Sequence, residues 1–428
     1  MRTIKTIGFP VIILMMLFVL YETAAAVHEL TPVEQLGKAI FFDKDLSINR
    51  NQSCASCHDP ASGWTGPDTE INAHGAVYKG SIPERFGERK PPSAAYAAVS
   101  PILYYDRKEE LFIGGNFWDG RATGEKLGNA AADQAQGPFI NAVEHGFADP
   151  ACIVFRVCKA NYPYSLDYVY PGECDIQWPE ELDIDMLCSK EKVIDLPVPV
   201  RTKVENSFNA IALAITAYEA SLEVNPFTSK YDLFLRGEAE LSPKEKLGLE
   251  MFNGKGKCSK CHISDGRKPL FTDFTYDNLG IPGNPANPVY RNKQHFIDKG
   301  LGGFLEKPDT PKEWQKLAAV NMGKHKVPTL RNIDKRPDSV FIKAYTHNGY
   351  FKTLKGLVHF YNTRDSKPAC PDLYPEEKAI AHNCWPSPEI KTNVNNEELG
   401  DLKLTEKEEE AIVLFMKTLS DGFKPEQE

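Results

Sequence analysis

The feature that most constrains this chain is a pair of CxxCH motifs, each preceded by the same short leader. Cys-Ala-Ser-Cys-His occupies residues 54–58, and Cys-Ser-Lys-Cys-His occupies residues 258–262. Upstream of each motif, a Leu-Thr/Ser-Pro tripeptide, a Leu-Gly pair and a phenylalanine recur 211 positions apart, whereas the cysteines recur 204 positions apart. The first copy therefore carries seven additional residues before its motif. This repeat divides the 428 residues into two similar units, each long enough for an ordinary domain of about 150–200 residues.

Each CxxCH motif is a signal for covalent attachment of a c-type haem. The two thiols add to the haem vinyl groups, and the adjoining histidine becomes the proximal iron ligand. A zinc site would need further Cys or His ligands at suitable spacing, and a thioredoxin-like site would not need the histidine. The assigned residues are Cys54, Cys57 and His58 for one haem, and Cys258, Cys261 and His262 for the other.

Each copy of the repeat is predicted to begin and end in a helix. The leaders Thr31-Pro32 and Ser242-Pro243 place a hydroxyl N-cap before a proline at the first helical position. Apolar residues spaced by three or four predict closing helices over 208–222 and 405–419. A leading helix, a CxxCH and a closing helix predict a mainly α fold. We expect two class I cytochrome c-like domains, each with one covalently bound haem and long loops.

The sequence also predicts the bounds of the two domains and of a segment that precedes them. We expect an N-terminal domain over 27–225, with a Cys-rich insertion at about 150–200, and a C-terminal domain over 238–428. Residues 1–26 have a basic start, a short apolar run and small residues before a plausible cut, which predicts a cleaved signal peptide. An uncleaved anchor is the alternative, but the apolar run of about 14 residues is shorter than a bilayer span. We therefore expect export to the periplasm, with no membrane span after signal cleavage.

Charge and cysteine content restrict the partners and the compartment. A formal charge of −9 and a pI near 5.7 argue against nucleic acid or anionic lipid, and leave a cationic redox partner open. The six cysteines outside the CxxCH motifs suit disulfides in an oxidising compartment, with a second metal site as the alternative. A predicted Cys370–Cys384 disulfide closes a loop of about 15 residues, which is worth about 3 kcal/mol. The other four cysteines, expected in long loops, leave three connectivities open: Cys152, Cys158, Cys174 and Cys188.

Spacing alone leaves the sixth ligand of each haem open. Met322, 60 residues beyond His262, is where a simple electron-transfer cytochrome would place an axial methionine. The other methionines of the mature chain are Met186, Met251 and Met416. The histidines free to ligate are His28, His74, His145, His295, His325, His347, His359 and His382.

Further short motifs accompany the two CxxCH sequences in a fixed order. They are Phe117-Trp118-Asp119-Gly120-Arg121, Gln134 with Gly137-Pro138, residues 141–144, Val-Pro-Thr-Leu-Arg-Asn at 327–332, His-Asn-Gly at 347–349 and Phe-Tyr-Asn at 360–362. In this order they resemble the bacterial dihaem cytochrome c peroxidases and the related MauG enzymes, over most of the mature chain. The resemblance implies that the N-terminal haem meets peroxide and that the C-terminal haem relays electrons.

The resemblance also implies roles for individual residues. Glu144, ten residues after Gln134, matches a distal glutamate that acts as acid–base catalyst, which suits the proton transfer that peroxide cleavage needs. Trp118 matches a tryptophan that lies between the two haems and conducts electrons. His74, 16 residues after His58, matches the histidine that caps the N-terminal haem of classical members and leaves on activation. The MauG branch lacks that cap.

The sixth ligand of the C-terminal haem separates the two branches of the family. Classical peroxidases place a methionine 14 residues after the histidine equivalent to His347, whereas MauG-like members place a tyrosine there. This chain has Tyr361 at that position. A phenolate is a hard anionic donor that stabilises ferric iron and lowers the reduction potential. We expect Tyr361 to be the ligand, with Met322 as the alternative.

The family also binds a structural calcium ion through an asparagine that precedes a Pro-Ser or Pro-Thr pair. The corresponding residue here is Lys90. Calcium takes oxygen ligands, so a lysine cannot serve. Calcium is then either absent or held differently.

Three functions remain open. The leading hypothesis is an exported dihaem peroxidase that reduces hydrogen peroxide with electrons from a small cytochrome c or a cupredoxin. Tyr361 also favours a MauG-like oxidation of tyrosine or tryptophan side chains in a partner protein. The rival class is a non-enzymatic electron carrier with both irons six-coordinate, which would not react with peroxide. The resemblance also allows a homodimer.

Overall fold

A computed structural model describes residues 29–292 and 296–425 of the chain. The predicted signal peptide, residues 1–26, lies outside the described residues, and so do the candidate ligands His28 and His295. The described part is mostly helical with few strands, as the sequence predicts. None of its helices is long and apolar enough to cross a membrane.

Short helices joined by long loops make up the described part of the chain. The helices are α1 (Pro32–Phe42), α2 (Thr69–Ala73), α3 (Ala130–Gln136), α4 (Pro150–Lys159), α5 (Leu166–Val169), α6 (Ile184–Leu187), α7 (Val198–Ala220), α8 (Lys230–Leu235), α9 (Pro243–Asn253), α10 (Pro288–Asn292), α11 (Gly300–Leu305), α12 (Lys312–Gln315), α13 (Leu354–Thr363), α14 (Glu376–Ala381) and α15 (Glu406–Lys417). Two antiparallel strand pairs accompany them: β1 (Tyr104–Asp106) with β2 (Leu111–Ile113), and β3 (Tyr276–Asp277) with β4 (His325–Lys326).

The two leading helices begin as the sequence predicts. In α1, Thr31 accepts a hydrogen bond from the backbone nitrogen of Glu34, and the Glu34 carboxylate accepts one from the backbone nitrogen of Thr31. In α9, Ser242 and Glu245 form the same reciprocal pair. These capping boxes satisfy backbone donors that the first helical turn leaves free.

The two closing helices pack on the leading helices in the same way. A Cβ atom placed on Gly37 of α1 would lie 1.9 Å from the carbonyl oxygen of Ala214 in α7. One placed on Gly248 of α9 would lie 1.9 Å from the carbonyl oxygen of Ala411 in α15. Because only glycine allows backbones to approach so closely, the Leu-Gly pair of each leader fixes where its closing helix crosses. The helix α7 is longer than predicted, because it begins ten residues before 208 at a Val-Pro pair.

Two large hydrophobic clusters match the two copies of the repeat. One draws its fully or nearly fully buried residues from positions 36–224, and the other from positions 231–419. A smaller third cluster joins Leu103 and Phe112 of the first copy to Tyr276 and Leu301 of the second. The stretch between the copies is not an open linker, since α8 packs Tyr231 into the second cluster.

The six cysteines outside the CxxCH motifs all form disulfides. They pair as Cys152–Cys188, Cys158–Cys174 and Cys370–Cys384. The last pair confirms the prediction, and the first two resolve the connectivity that the sequence left open. We expected the four cysteines between 152 and 188 to lie in long loops. This was wrong for Cys152 and Cys158, which lie on α4, where apolar neighbours pack against α7.

Candidate active site

The first CxxCH motif lines a cavity that we call the N-terminal cavity, bounded by Cys54, Cys57 and His58. A 3₁₀ turn over Cys54–Ser56 brings both thiols to one side, and the His58 backbone nitrogen donates to the Cys54 carbonyl oxygen at 3.0 Å. The His58 Nδ1 atom lies 3.2 Å from the Trp64 carbonyl oxygen, to which it donates, so the Nε2 atom of this tautomer carries the lone pair that can bind iron. Burial lowers the pKa of His58 to about 4, despite the opposing effect of the hydrogen bond that the ring donates to that carbonyl, so the imidazole is neutral.

The second motif lines the C-terminal cavity, bounded by Cys258, Cys261 and His262. The same type of turn, over Cys258–Lys260, presents its thiols. The His262 Nδ1 atom donates to the carbonyl oxygen of Phe271 at 2.8 Å. Burial lowers the pKa of His262 as well. Each motif therefore offers a neutral imidazole whose second nitrogen is already hydrogen-bonded, as is typical of iron-ligating histidines.

The residues of both cavities fit a covalently attached haem. Of the ten cysteines, the four CxxCH thiols are the free ones, whereas the other six are disulfide-bonded. In the C-terminal cavity, His347 is 95% buried, and its Nε2 atom lies 4.0 Å from the Glu389 Oε2 atom, beyond hydrogen-bond distance. A buried ring nitrogen in a cavity wall that makes no hydrogen bond leaves a place for a polar atom of a group held in that cavity.

Glu144 lies in the wall of the N-terminal cavity, as does Gln134 of α3. The Asn141 side-chain nitrogen donates to Glu144 Oε1 at 3.1 Å. Burial raises the pKa of Glu144, although the positive charge of Arg121 and the Asn141 hydrogen bond offset part of that effect. The arrangement gives a carboxyl group that can hold a proton inside the cavity and release it to a bound molecule.

Trp118 lines both cavities, and it is the aromatic side chain that their described walls share. Its Nε1 atom donates to the Lys90 carbonyl oxygen at 2.8 Å, and its own carbonyl oxygen accepts from the Lys326 backbone nitrogen at 2.9 Å. Its ring centroid lies 6.5 Å from that of His347. The structure thus places this indole between the two CxxCH sites.

Tyr361, on α13, lines the C-terminal cavity together with both thiols of the second motif. Burial raises the pKa of Tyr361, and the neighbouring Cys258 and Cys261 add to the effect. A metal ion or another cation would be needed to hold this side chain as a phenolate.

The methionine alternative occupies a different place. Met322 packs against the small cluster around Leu301 and Leu305 and is absent from the described walls of either cavity. Met416, which no sequence motif singles out as a ligand, lines the C-terminal cavity from α15.

The candidate histidines separate into two groups. His325 and His347 line the C-terminal cavity with their rings stacked at 3.6 Å, and His145 lines the N-terminal cavity with its Nδ1 atom donating to the Leu46 carbonyl oxygen. His74 follows α2 as an exposed residue, and its Nδ1 atom donates to the Glu70 carbonyl oxygen at 2.7 Å. Within the described residues, His74, His359 and His382 line neither cavity.

Lys90 lies in the wall between the cavities and is 92% buried. Its Nζ atom donates to Thr65 Oγ1 at 2.8 Å and to the Pro91 carbonyl oxygen at 2.9 Å. Burial and the nearby charge of Lys352 lower the pKa of Lys90 to about 7. An ammonium group already takes the oxygen atoms here, so the residues present do not fit a calcium ion held by this position.

Sequence reasoning missed one carboxyl group of the N-terminal cavity. Glu219, near the end of α7, is 95% buried and lies in the cavity wall. Spacing on α7 singles out the apolar face, and a glutamate on that face carries no recognisable motif. The signal that could have found it is the repeat, because Met416 holds the equivalent place in the second copy.

A helical chain with two CxxCH cavities and one tryptophan between them has the architecture of a dihaem c-type enzyme. A model of the family described as di-haem cytochrome c peroxidase matches residues 32–240. The methylamine utilization protein MauG of Paracoccus denitrificans is 32% identical over 95% of this chain and 94% of its own length. The cytochrome-c peroxidase IdrP2 of Denitromonas iodatirespirans is 25% identical over 77% of this chain and 72% of its own.

A solved structure is also similar over most of its length. The diheme peroxidase BthA from Burkholderia thailandensis has a TM-score of 0.69 and 28% identity, covering 93% of this chain and 88% of that one. This chain belongs to the di-haem cytochrome c peroxidase family and is a peroxidase-type oxidoreductase. Membership implies two c-type haems.

Proposed function

We propose that the protein reduces hydrogen peroxide in its N-terminal cavity, using electrons that enter through its C-terminal cavity. The observation that carries the proposal is Glu144, a buried carboxyl group with a raised pKa in the same cavity as the free thiols and neutral imidazole of the first CxxCH motif. Reduction of one peroxide to two waters consumes two electrons and two protons. A proton carrier and an electron path must therefore meet in this cavity.

The haem-binding residues follow from the two motifs. Cys54 and Cys57 would hold the first haem by thioether bonds, with His58 as its axial ligand. When bound, the haems supply the iron that peroxide meets and the redox centres that store and deliver electrons. The second haem would be held by Cys258, Cys261 and His262.

Glu144 performs the acid–base step in this proposal. Its carboxylate takes the proton from the inner oxygen of peroxide and returns it to the outer oxygen, which keeps the electron pair of the O–O bond and leaves as the first water. The inner oxygen would become the second water with two electrons supplied by the haems and two protons from solvent. A site shielded from solvent suits this role, because burial keeps the carboxyl pKa closer to that of the group it serves. Gln134, in the same wall, supplies an amide that can orient the peroxide or the water formed from it.

Trp118 provides the electron path between the cavities. Its side chain lines both walls, and the hydrogen bond to the Lys90 carbonyl oxygen fixes the orientation of the ring. The ring thus shortens the gap that an electron would otherwise cross through backbone alone. His74 has no part in the proposed site, because it lies exposed outside the described walls.

A second function is favoured by one observation, the position of Tyr361 in the C-terminal cavity. Ligation by a phenolate would stabilise oxidised iron and make reduction by a small redox protein harder. The oxidising equivalents could then be passed to tyrosine or tryptophan side chains of a partner protein, as in the MauG-like hypothesis of the sequence analysis. Met322 is the weaker candidate for this ligand, since it packs elsewhere.

The domain organisation and compartment belong to the same proposal. We assign an N-terminal cytochrome c-like domain to 27–225 and a C-terminal one to 238–428, supported by a separate hydrophobic cluster in each. Three disulfides support export to an oxidising compartment such as the periplasm. A small cytochrome c or cupredoxin is the proposed electron donor.

Peroxide turnover by the haem-loaded protein tests the proposal. Glu144→Gln keeps the shape and the Asn141 contact but cannot carry the proton, so we expect a loss of about 10²–10⁴-fold in rate. Glu125→Gln is the matched control, because Glu125 is exposed and lines neither cavity in the described part. Equal rates for all three proteins would contradict the role of Glu144.

The two candidate functions are separated by the fate of the oxidising equivalents. A peroxidase consumes reduced cytochrome c or cupredoxin in step with peroxide. A protein oxidase instead leaves those donors unused and produces cross-linked or hydroxylated aromatic side chains in its partner, which mass spectrometry detects.

A further inference from the structure

The two haem cavities are built on equivalent helix pairs, which allows their walls to be compared residue by residue. The close crossings at Gly37 with Ala214 and at Gly248 with Ala411 are the same contact in the two copies. The next contact also repeats, because a Cβ on Gly37 would meet the Cβ of Tyr218 and one on Gly248 would meet the Cβ of Phe415. The closing helices therefore correspond with a constant offset of 197 residues.

Two of the equivalent wall positions are identical. Phe41 lines the N-terminal cavity where Phe252 lines the C-terminal one. Ile215 of α7 likewise corresponds to Ile412 of α15, and both face their cavities. This identity supports the alignment and indicates that the helix faces meet the two haems in the same manner.

The third equivalent position differs in chemistry. Glu219 lines the N-terminal cavity at the place where Met416 lines the C-terminal one. The glutamate is 95% buried and the methionine 94%. The same helix position thus holds the apolar Met416 in the proposed electron-relay cavity and the carboxyl group of Glu219 in the proposed peroxide cavity.

The Glu219 carboxyl group has no hydrogen-bond partner among the described residues. Its ionisable neighbours are Cys54 of the CxxCH turn and Tyr218 of its own helix, and its negative charge would raise the pKa of both groups. Glu144 acts on the same thiol from the cavity wall. Lys38, the nearby cation of α1, pairs with Glu223 instead, at 2.6 Å.

The other helices packed on α7 bring no positive charge to Glu219 in the described part of the chain. In α3, Asp133 is itself acidic, and its carboxylate accepts hydrogen bonds from the backbone nitrogens of Gly124 and Leu127. In α4, the Arg156 guanidinium donates to backbone oxygens of Asp45 and Ser47. An unpaired carboxylate in such a site is strongly disfavoured, and burial raises the pKa of Glu219 to about 8.

We propose that Glu219 couples the electron content of the N-terminal haem to one proton. When an external donor delivers an electron to the ferric haem, the carboxylate of Glu219 takes up one proton from solvent, and reoxidation returns it. Glu219 acts on the charge of the haem through space and does not touch the peroxide, whereas Glu144 transfers the peroxide proton. The proposal rests on haem attachment at the first CxxCH motif and stands whether or not peroxide is the substrate.

The test is a spectroelectrochemical titration of the dihaem protein at several pH values. The values run from about pH 6 to pH 10, a range that brackets the raised pKa of the Glu219 carboxyl. In the wild type, we expect the reduction potential of the N-terminal haem to fall as the pH rises, because the ionised carboxylate stabilises ferric iron. In Glu219→Gln, the potential should stay near its low-pH value across this window. A Glu219→Gln protein that keeps the wild-type slope would overturn the proposal.

The second cavity supplies the matched variants. Glu219→Met copies the residue of the equivalent position and should also abolish the pH dependence, which guards against a folding defect specific to glutamine. Met416→Glu should create a pH-dependent potential at the C-terminal haem, whereas Met416→Gln should not. Loss of a protonated carboxyl band from the infrared difference spectrum of Glu219→Gln would support the same assignment, and retention of that band would refute it.

Discussion

The indole nitrogen of Trp118 donates a 2.8 Å hydrogen bond to the carbonyl oxygen of Lys90, and this contact holds the ring in the wall that both haem cavities share. The same lysine is tied to the C-terminal half, because its backbone nitrogen donates to the carbonyl oxygen of His347 at 2.7 Å. The ring orientation and the junction between the two halves thus depend on one short segment.

Replacing Trp118 by phenylalanine should slow electron delivery to the N-terminal cavity. The change removes both the readily oxidised indole and its hydrogen bond, whose loss costs about 1 kcal/mol of stability. Pre-reduced protein mixed with peroxide should show slower reoxidation of the C-terminal haem. Trp178→Phe, in the Cys-rich insertion against Phe155, is the control and should leave this rate unchanged. Equal rates for both variants would remove Trp118 from the path.

Removal of divalent cations should leave the protein unchanged. The Lys90 ammonium takes the oxygen atoms of Thr65 and Pro91, so no divalent ion is needed at this position. Dialysis against a calcium chelator should therefore preserve the visible spectrum and the Tm. Lys90→Asn should instead acquire a Tm that rises with added calcium. A wild-type Tm that falls on chelation would show that calcium is held elsewhere and matters.

Replacing Tyr361 by methionine should raise the reduction potential of the C-terminal haem. A thioether favours ferrous iron, whereas a phenolate favours ferric iron. The near-infrared charge-transfer band of methionine-ligated ferric haem should be absent from the wild type and present in Tyr361→Met. Met322→Leu serves as the control and should alter neither property. A wild-type protein that shows the band and loses it in Met322→Leu would reverse the assignment.

The ion pair between Asp149 and Arg201 should hold the Cys-rich insertion on α7. Two hydrogen bonds of 2.6 and 2.9 Å join the side chains, and backbone nitrogens of Ala151 and Ile194 also donate to the carboxylate. Burial alone would raise the pKa of Asp149, but these hydrogen bonds outweigh it and hold the pKa below its ordinary value of 3.8. Asp149→Asn should lower the free energy of unfolding at neutral pH by about 3 kcal/mol.

The pH dependence of that loss follows from the direction of the shift. A carboxyl whose pKa is lower in the folded state contributes stability above its ordinary pKa, and loses it as the pH falls through the folded value. Denaturant unfolding should therefore show the Asp149→Asn deficit at neutral pH and a smaller deficit in acid. Asp175→Asn, at an exposed position of the same insertion, should match the wild type at both pH values.

The parts of the fold that the sequence predicts depend on local chemistry. The CxxCH motifs, the Thr31 and Ser242 caps and the Cys370–Cys384 pair are set by residues close in the chain. The repeated Leu-Gly pair marks the crossings of the closing helices, although its meaning becomes clear only when the Gly37 and Gly248 contacts are seen.

The parts that sequence reasoning missed depend on contacts between distant segments. No local pattern indicates that Lys90 is buried between two cavities or that Met322 packs into a cluster with Leu301. The spacing of His74 matches the family pattern, yet the end of α2 turns its ring towards the Glu70 carbonyl. The proposed role of Glu219 likewise follows only from comparing α7 with α15 in the structure.

Rapid mixing of the dihaem protein with one equivalent of hydrogen peroxide tests whether Glu144 acts on peroxide in the N-terminal cavity. We expect an immediate change in the haem absorption spectrum of the wild type, slowed by about 10²-fold or more in Glu144→Gln at equal haem content. An unchanged spectrum in every redox state of the wild type would rule out peroxide reduction in this cavity, since Glu144 would then have no peroxide proton to transfer.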